Sequence, residues 1–146
     1  MRKTKKTLRA VIVLIDTDIL IDVALERLPH ADASAWFLDL AERRECQAFI
    51  AWHSIANFYY IVSSPSGKTK AKEFIRDLLT FTKVASVGTR DALYAVTLEI
   101  PDFEDALQIA AARACGAEKI ITRNVKHYRQ SPIPAQTPTD LRKQFN

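Results

Sequence analysis

Val11–Val23 reads V-I-V-L-I-D-T-D-I-L-I-D-V, and the change of pattern inside it decides the fold. Val11 to Ile15 is an unbroken apolar run that stops at Asp16. A short apolar run ended by a polar residue is the signature of a strand buried on both faces of a parallel sheet. Beyond it, Ile19, Leu20, Val23 and Ala24 recur at helical spacing. Asp16 therefore stands where a central strand hands over to a helix. In open α/β sheets, ligands bind in the crevice beyond the carboxyl ends of the strands, so an acid placed there is a candidate for chemistry.

Outward from this stretch the alternation repeats. Leu28-Pro29-His30 is a break, and Ala31–Arg44 has helical spacing. Gln47–Trp52 reads as a short strand and His53–Ser63 as a helix with Ile55, Phe58, Tyr59 and Val62 on one face. Ser63-Ser64-Pro65-Ser66-Gly67 predicts a turn. An amphipathic helix over Lys68–Thr82 and a strand over Val84–Val87 follow. Thr89 is placed to cap a helix reaching about Glu99, and Asp102 to cap one that runs to Cys115 and stops at Gly116. Lys119–Thr122 is a buried strand, and Thr137-Pro138 opens a last helix. Strands separated by helices in this way predict an α/β fold, a parallel sheet with helices on both faces.

The chain has 146 residues, the size of one domain, which we set at residues 10–146 after a basic tail at residues 1–9. Apolar residues at 48% are enough for a real core. The net charge of +4 comes from that tail: Arg2, Lys3, Lys5, Lys6 and Arg9 are five of the 21 basic residues, leaving 16 against 17 acidic ones. A solvated arm is the simple interpretation, and weak, salt-sensitive affinity for a polyanion the functional one. Asp16, Asp18 and Asp22 interrupt the first apolar run, which excludes a signal peptide there, and nothing approaches the roughly 20 apolar residues of a membrane span. With only three glycines, none near Asp16, a dinucleotide or P-loop site is excluded. Cys46 and Cys115 lack metal or redox spacing and predict buried free thiols in a reducing cytoplasm.

Three polar positions share one logic. Asp16 ends the first strand, Asp105 lies in the first turn of the helix after Pro101, and Asn124 follows the Lys119–Thr122 strand. A parallel sheet brings such positions to one edge. Carboxylate and carbonyl oxygens suit hard divalent ions, and clustered carboxylates repel unless a cation sits among them. Asp105 has an alternative use, complementing the helix dipole, and Asp18 and Asp22 read as solvated or capping groups. His30, His53 and His127 show no zinc spacing and read as structural or surface groups, and Ser54 and Ser63 lack the glycine elbow of a serine hydrolase. Trp36, Phe37, Trp52, Tyr59 and Tyr60 read as core or a partner surface ahead of a base-stacking platform.

L-I-D-T-D-I-L-I-D-V (14–23) resembles the opening motif of PIN-domain proteins, with Asp16 at their first catalytic acid. D-F-E-D-A-L-Q-I-A-A-A-R-A-C-G-A-E-K-I-I-T-R-N-V-K-H-Y (102–128) resembles their third block, the most specific piece, with Asp105 at the second aspartate and Asn124 at the final Asp/Asn. I-P-A-Q-T-P-T-D-L (133–141) resembles their closing segment. The resemblance implies a three-layer α/β/α PIN fold and Mg²⁺- or Mn²⁺-dependent ribonuclease activity, with Asp16 and Asp105 holding the metal. It extends to VapC-like toxins, which implies an RNA substrate, a small antitoxin partner, a homodimer and a cytoplasmic location. The family's usual Glu on the helix after the second strand is matched here by Asn57, as in a subgroup with Asn before paired aromatics, and His127 stands where Asp is typical. Asn57 and Asn124 then complete the site directly or through water, with Asp18 and Asp102 as possible helpers. The departures leave a second hypothesis open, a PIN scaffold that binds RNA or protein without cutting. A phosphatase using Asp16 as nucleophile and Asp18 as acid ranks last, because no Gly-Thr follows the D-x-D.

Overall fold

The computed structural model describes residues 11–145, so the basic tail at residues 1–9 lies outside the described residues, as do positions 10 and 146. Five parallel strands form one sheet: β1 (Ile12–Ile15), β2 (Gln47–Ile50), β3 (Thr82–Val84), β4 (Lys119–Ile121) and β5 (Ala135–Gln136), in the order β3-β2-β1-β4-β5. The helices are α1 (Thr17–Ala24), α2 (Ala31–Glu42), α3 (Trp52–Ser66), α4 (Lys68–Leu78), α5 (Thr89–Thr97), α6 (Phe103–Ala114) and α7 (Pro138–Lys143), with a 3₁₀ turn at Val125–Tyr128.

The side-chain alternation of β1 sorts the helices into two layers. Val13 and Ile15 point into a core with Ile19 and Leu20 of α1, Phe37 of α2, Phe58 of α3, Leu78 of α4 and Leu141 of α7. Leu14 points the other way, against Ile109, Ala111 and Ala112 of α6. α5 packs on α6 through Ala95, Ala106 and Ala110, small residues that let the two helices approach closely. Both faces of β1 are thus covered, as a run without polar alternation requires. None of the described helices is long and apolar enough to cross a membrane.

The order β3-β2-β1-β4-β5 reverses direction at β1, so the gap between the ends of β1 and β4 is the switch point of the sheet. Ile15 pairs with Ile50 on one side and Ile121 on the other, so all three central strands stop at one level. The residues that follow them, Asp16, Ala51 and Thr122, start the loops and helices that build the site.

Several element boundaries differ from those expected. Trp52 begins α3 rather than closing β2, because no partner strand extends beyond Ile50, and its ring is 69% exposed. β3 covers Thr82–Val84, not Val84–Val87, for the same reason: its ladder to β2 runs from Ala48↔Thr82 to Ile50↔Val84. The helix expected to stop at Ser63 continues through Pro65 to Ser66, and the turn contracts to Gly67, whose φ of 93° suits glycine alone. β5 has no apolar run to announce it and was not expected. Cys46 is buried, Cys115 is half-buried, and both are free.

Asp22 corrects a reading made from spacing. It is not solvated: its side chain is fully buried in α1 and grips Arg123, just past β4, through Nε at 2.7 Å and a second guanidinium nitrogen at 3.1 Å. This fork ties α1 to the loop that leaves β4. Removing one partner of a buried pair strands the other charge, whereas replacing both by apolar groups does not. Arg123→Met is therefore expected to destabilise the fold by about 2–4 kcal/mol, and Asp22→Leu/Arg123→Met to recover most of that loss. Urea unfolding of the two variants checks this. A single variant within about 0.5 kcal/mol of the parent would contradict it.

Candidate functional site

Asp16 leaves β1 in an extended conformation and becomes the N-cap of α1, its Oδ1 accepting the Thr17 amide at 2.7 Å. That position fixes the carboxylate over the end of the sheet, almost completely buried. Gln108 Nε2 donates to Oδ1 at 3.3 Å, while Oδ2 accepts the hydroxyls of Thr122 at 2.8 Å and Tyr128 at 2.9 Å. Asp105 arrives from α6, whose N-terminus is capped by Asp102 Oδ1 on the Glu104 amide. Its Oδ1 lies 3.3 Å from the same Tyr128 hydroxyl, and its Oδ2 lies 3.3 Å from Nδ1 of the exposed His127. Two carboxylates distant in sequence thus share one phenol.

Asn124 meets neither acid directly. Its side-chain nitrogen donates to Asp18 Oδ2 at 2.9 Å, which also accepts from the Thr122 hydroxyl and the Arg123 amide. Asp18 is consequently part of the cluster, not a solvated group. Asn57 lies on α3 one turn beyond Ser54, half-buried, and makes no side-chain hydrogen bond to Asp16, Asp105 or Asn124 among the described residues. From the same helix, buried Ser54 joins Thr17 and Gln108, and His53 Nε2 meets Glu104 Oε2 at 2.8 Å.

Gln108, Tyr128, Thr122, Ser54 and the His53–Glu104 pair are not among the site residues expected from the sequence. For Gln108 a signal exists: it lies three residues beyond Asp105 and four beyond Glu104 on one helix, and so neighbours both. Tyr128, fully enclosed, carries no such signal, since an aromatic after a short polar stretch reads as core.

Hydrogens are scarce in this cluster. The hydroxyls of Thr122 and Tyr128 and the amide of Gln108 together own four hydrogens but face eight acceptor contacts. Asp18 Oδ1 and Gln108 Oε1 are buried with no partner at all. Burial pushes the Asp16 carboxyl up, against the hydrogen bonds from Thr122 and Tyr128. Burial and the Asp16 charge raise Asp18 to about 7, and the same two causes raise Asp105 to about 6. The Tyr128 hydroxyl, buried and beside both acids, is held protonated well above its ordinary range. A surplus of buried acceptors is what a proton or a cation satisfies. Among the described residues no group of three or more His, Cys, Asp and Glu side chains converges as a ready-made metal cage. Mg²⁺ and Mn²⁺ do not require one, since Mg²⁺ is usually held by one or two carboxylates with waters filling the other positions. The donor set fits such an ion.

Comparison with known proteins gives the family and the fold. A family model described as PIN domain matches residues 12–126, most of the chain. The chain is similar to VapBC2 from Rickettsia felis bound to a DNA fragment from its promoter, at 20% identity, covering 87% of this chain and 98% of that one with a TM-score of 0.66. It is similar also to a toxin–antitoxin complex from Klebsiella pneumoniae, at 23% identity over 86% and 97% of the two chains, TM-score 0.66. Mycobacterium tuberculosis VapC20, a sarcin-ricin loop cleaving toxin, matches at 15% identity over 74% and 86%, TM-score 0.60. No curated protein matches the chain in sequence. At these identities the solved structures establish a common fold.

The acid cluster gives the metal-free protein a characteristic pH response. Folded-state values for Asp18 and Asp105 lie above those of an unfolded carboxyl, so the folded state takes up protons preferentially. Their contribution to stability is full below about pH 4 and is lost as pH climbs through about 6 to 7. In EDTA, the unfolding temperature is expected to rise by several degrees as pH falls from about 7.5 to about 5, and this rise to shrink in Asp18→Asn/Asp105→Asn. Differential scanning calorimetry measures both, and a flat or opposite trend in the parent would show that these carboxyls titrate normally.

Proposed function

The chain belongs to the PIN-domain family, and on that premise we propose that it is a divalent-metal-dependent endoribonuclease, the toxin of a toxin–antitoxin pair. The observation that carries this is the meeting of Asp16 and Asp105 on the Tyr128 hydroxyl, in a buried cluster with more acceptors than hydrogens. Asp16 and Asp105 would hold the ion, with Asn124 and Asn57 contributing through water. When bound, Mg²⁺ or Mn²⁺ supplies positive charge against the phosphoryl oxygens and makes water a better nucleophile at neutral pH.

The remaining steps belong to the chain itself. Thr122, Tyr128, Gln108 and the Thr17 amide fix both oxygens of Asp16, so the acid does not turn away when a phosphodiester arrives. Tyr128 holds its proton between the two acids and sets their separation. His53 Nε2 and His127 Nδ1 each lie against a carboxylate, Glu104 at 2.8 Å and Asp105 at 3.3 Å. VapC20 supports RNA as the substrate, and the R. felis and K. pneumoniae complexes support a small antitoxin as partner, with a homodimer as the matching assembly. A cytoplasmic location goes with this reading.

Purified protein with Mn²⁺ or Mg²⁺ is expected to cleave RNA internally. Asp16→Asn and Asp105→Asn should each lower the rate roughly 100-fold or more, and Tyr128→Phe about 10- to 100-fold. Unchanged cleavage by Asp16→Asn would end this assignment. The competing role, a scaffold that binds without cutting, is favoured if calorimetry finds no metal binding, or binding that Asp105→Ala leaves intact.

A further inference from the structure

Two concavities lie outside the acid cluster. The first is an apolar slot of about 190 Å³ between the start of α3, the start of α5 and one face of α6, bounded by Trp52, His53, Val87, Gly88, Asp91 and Leu107. It opens beyond the carboxyl ends of β2 and β3, on the edge of the sheet that carries Asp16. It touches the acid cluster through His53, whose Nε2 bonds Glu104 beside Asp105. The second is a cleft of about 500 Å³ between α5 and α6, bounded by Arg90, Tyr94, Thr97 and Arg113. Asp91 lines both, so slot and cleft adjoin at that residue.

Their chemistry is complementary. The slot is smaller than the roughly 300–1,000 Å³ that holds a drug-sized ligand, and suits a single flat ring system. Trp52, most of its ring in solvent, stands at its lip. In the cleft, the Arg113 guanidinium is held 3.9 Å over the Tyr94 ring, and neither Arg113 nor Arg90 forms an ion pair among the described residues. Arg113, oriented over Tyr94, and Arg90 suit phosphate oxygens, with the Asp91 carboxylate on the same cleft. A ring-sized apolar slot followed by a two-arginine cleft matches one nucleotide's base and the backbone next to it.

We propose that the Trp52–Leu107 slot receives one unpaired base of a single-stranded RNA and that Arg90 and Arg113 hold the neighbouring backbone phosphates, which fixes the strand across the acid cluster. This rests on the ribonuclease assignment for its purpose, though not for its binding. The base enters only if it is unstacked, so paired RNA is excluded. Asp91 Oδ2 is engaged by the Gly88 amide, leaving Oδ1 to accept from an exocyclic amine on the base.

The test uses full-length Asp16→Asn protein, which binds without cutting, and short fluorescently labelled single-stranded and duplex RNAs. Trp52→Ala is expected to weaken single-strand binding roughly tenfold or more, the usual effect of removing a stacking aromatic. Gly88→Leu fills the slot from a position where an added Cβ meets nothing within 4 Å and φ is extended, so it should fold and lose affinity similarly. Arg90→Ala/Arg113→Ala should weaken binding and flatten its salt dependence by about 0.7 log units per arginine. In a Trp36→Phe background, single-stranded RNA should quench Trp52 fluorescence and duplex RNA should not. Equal affinity for duplex, or undiminished affinity in both Trp52→Ala and Gly88→Leu, overturns the proposal. If cleavage by otherwise native protein persists in those two variants at unchanged KM, only the slot is refuted and the nuclease stands. If RNA binds through Trp52 yet native protein cuts nothing, the slot stands and the nuclease assignment falls.

Discussion

One buried carboxylate sets the terms for this fold. Asp16 ends the central strand, caps the first helix, and accepts hydrogens from residues on α6, past β4 and in the 3₁₀ turn. Each of those donors is itself fixed by packing, so the position of one acid orders segments from every part of the sheet's upper edge. An enclosed carboxylate without compensation is costly, and the donors supplied to it do not meet the demand of its neighbours. The structure keeps a region of unmet acceptors in its interior, which a proton or a cation would satisfy.

The arrangement of the sheet makes that region possible. β1 has neighbours on both sides, and its pairing partners β2 and β4 stop at the same level. The loops that follow them therefore diverge from a common line, leaving a crevice instead of a covered edge. The Asp22–Arg123 fork holds one wall of it and the cap of α6 sets the other.

The run Val11–Ile15 identified the central strand because burial on both faces leaves no room for alternation. Asp16 and Asp105 stood out because acids at strand ends and helix starts have few structural uses, and the shared phenol brings them together as a parallel sheet requires. Boundaries failed where local pattern and tertiary pairing compete: Ala51 and Trp52 continue an apolar string, but no strand lies beside them. Asp18 and Asp22 were misjudged because a polar residue on an amphipathic helix reads as exposed until its partner, Asn124 or Arg123, arrives from about a hundred residues away. Asn57, matched by family pattern to a ligand position, stays outside the hydrogen-bonded cluster. Tyr128 was invisible since nothing about an aromatic side chain announces that its hydroxyl is wanted.

The interleaved strand order also bears on when the cluster comes into being. Its members run from Asp16 to Tyr128, and β4, which completes the inner triplet of strands, is among the later elements to be synthesised. Until that strand docks against β1, Asp16 lacks Thr122 and Tyr128, and the acids are scattered. A chain emerging from the ribosome therefore has no assembled acid cluster until β4 and the 3₁₀ turn that follows it have been made.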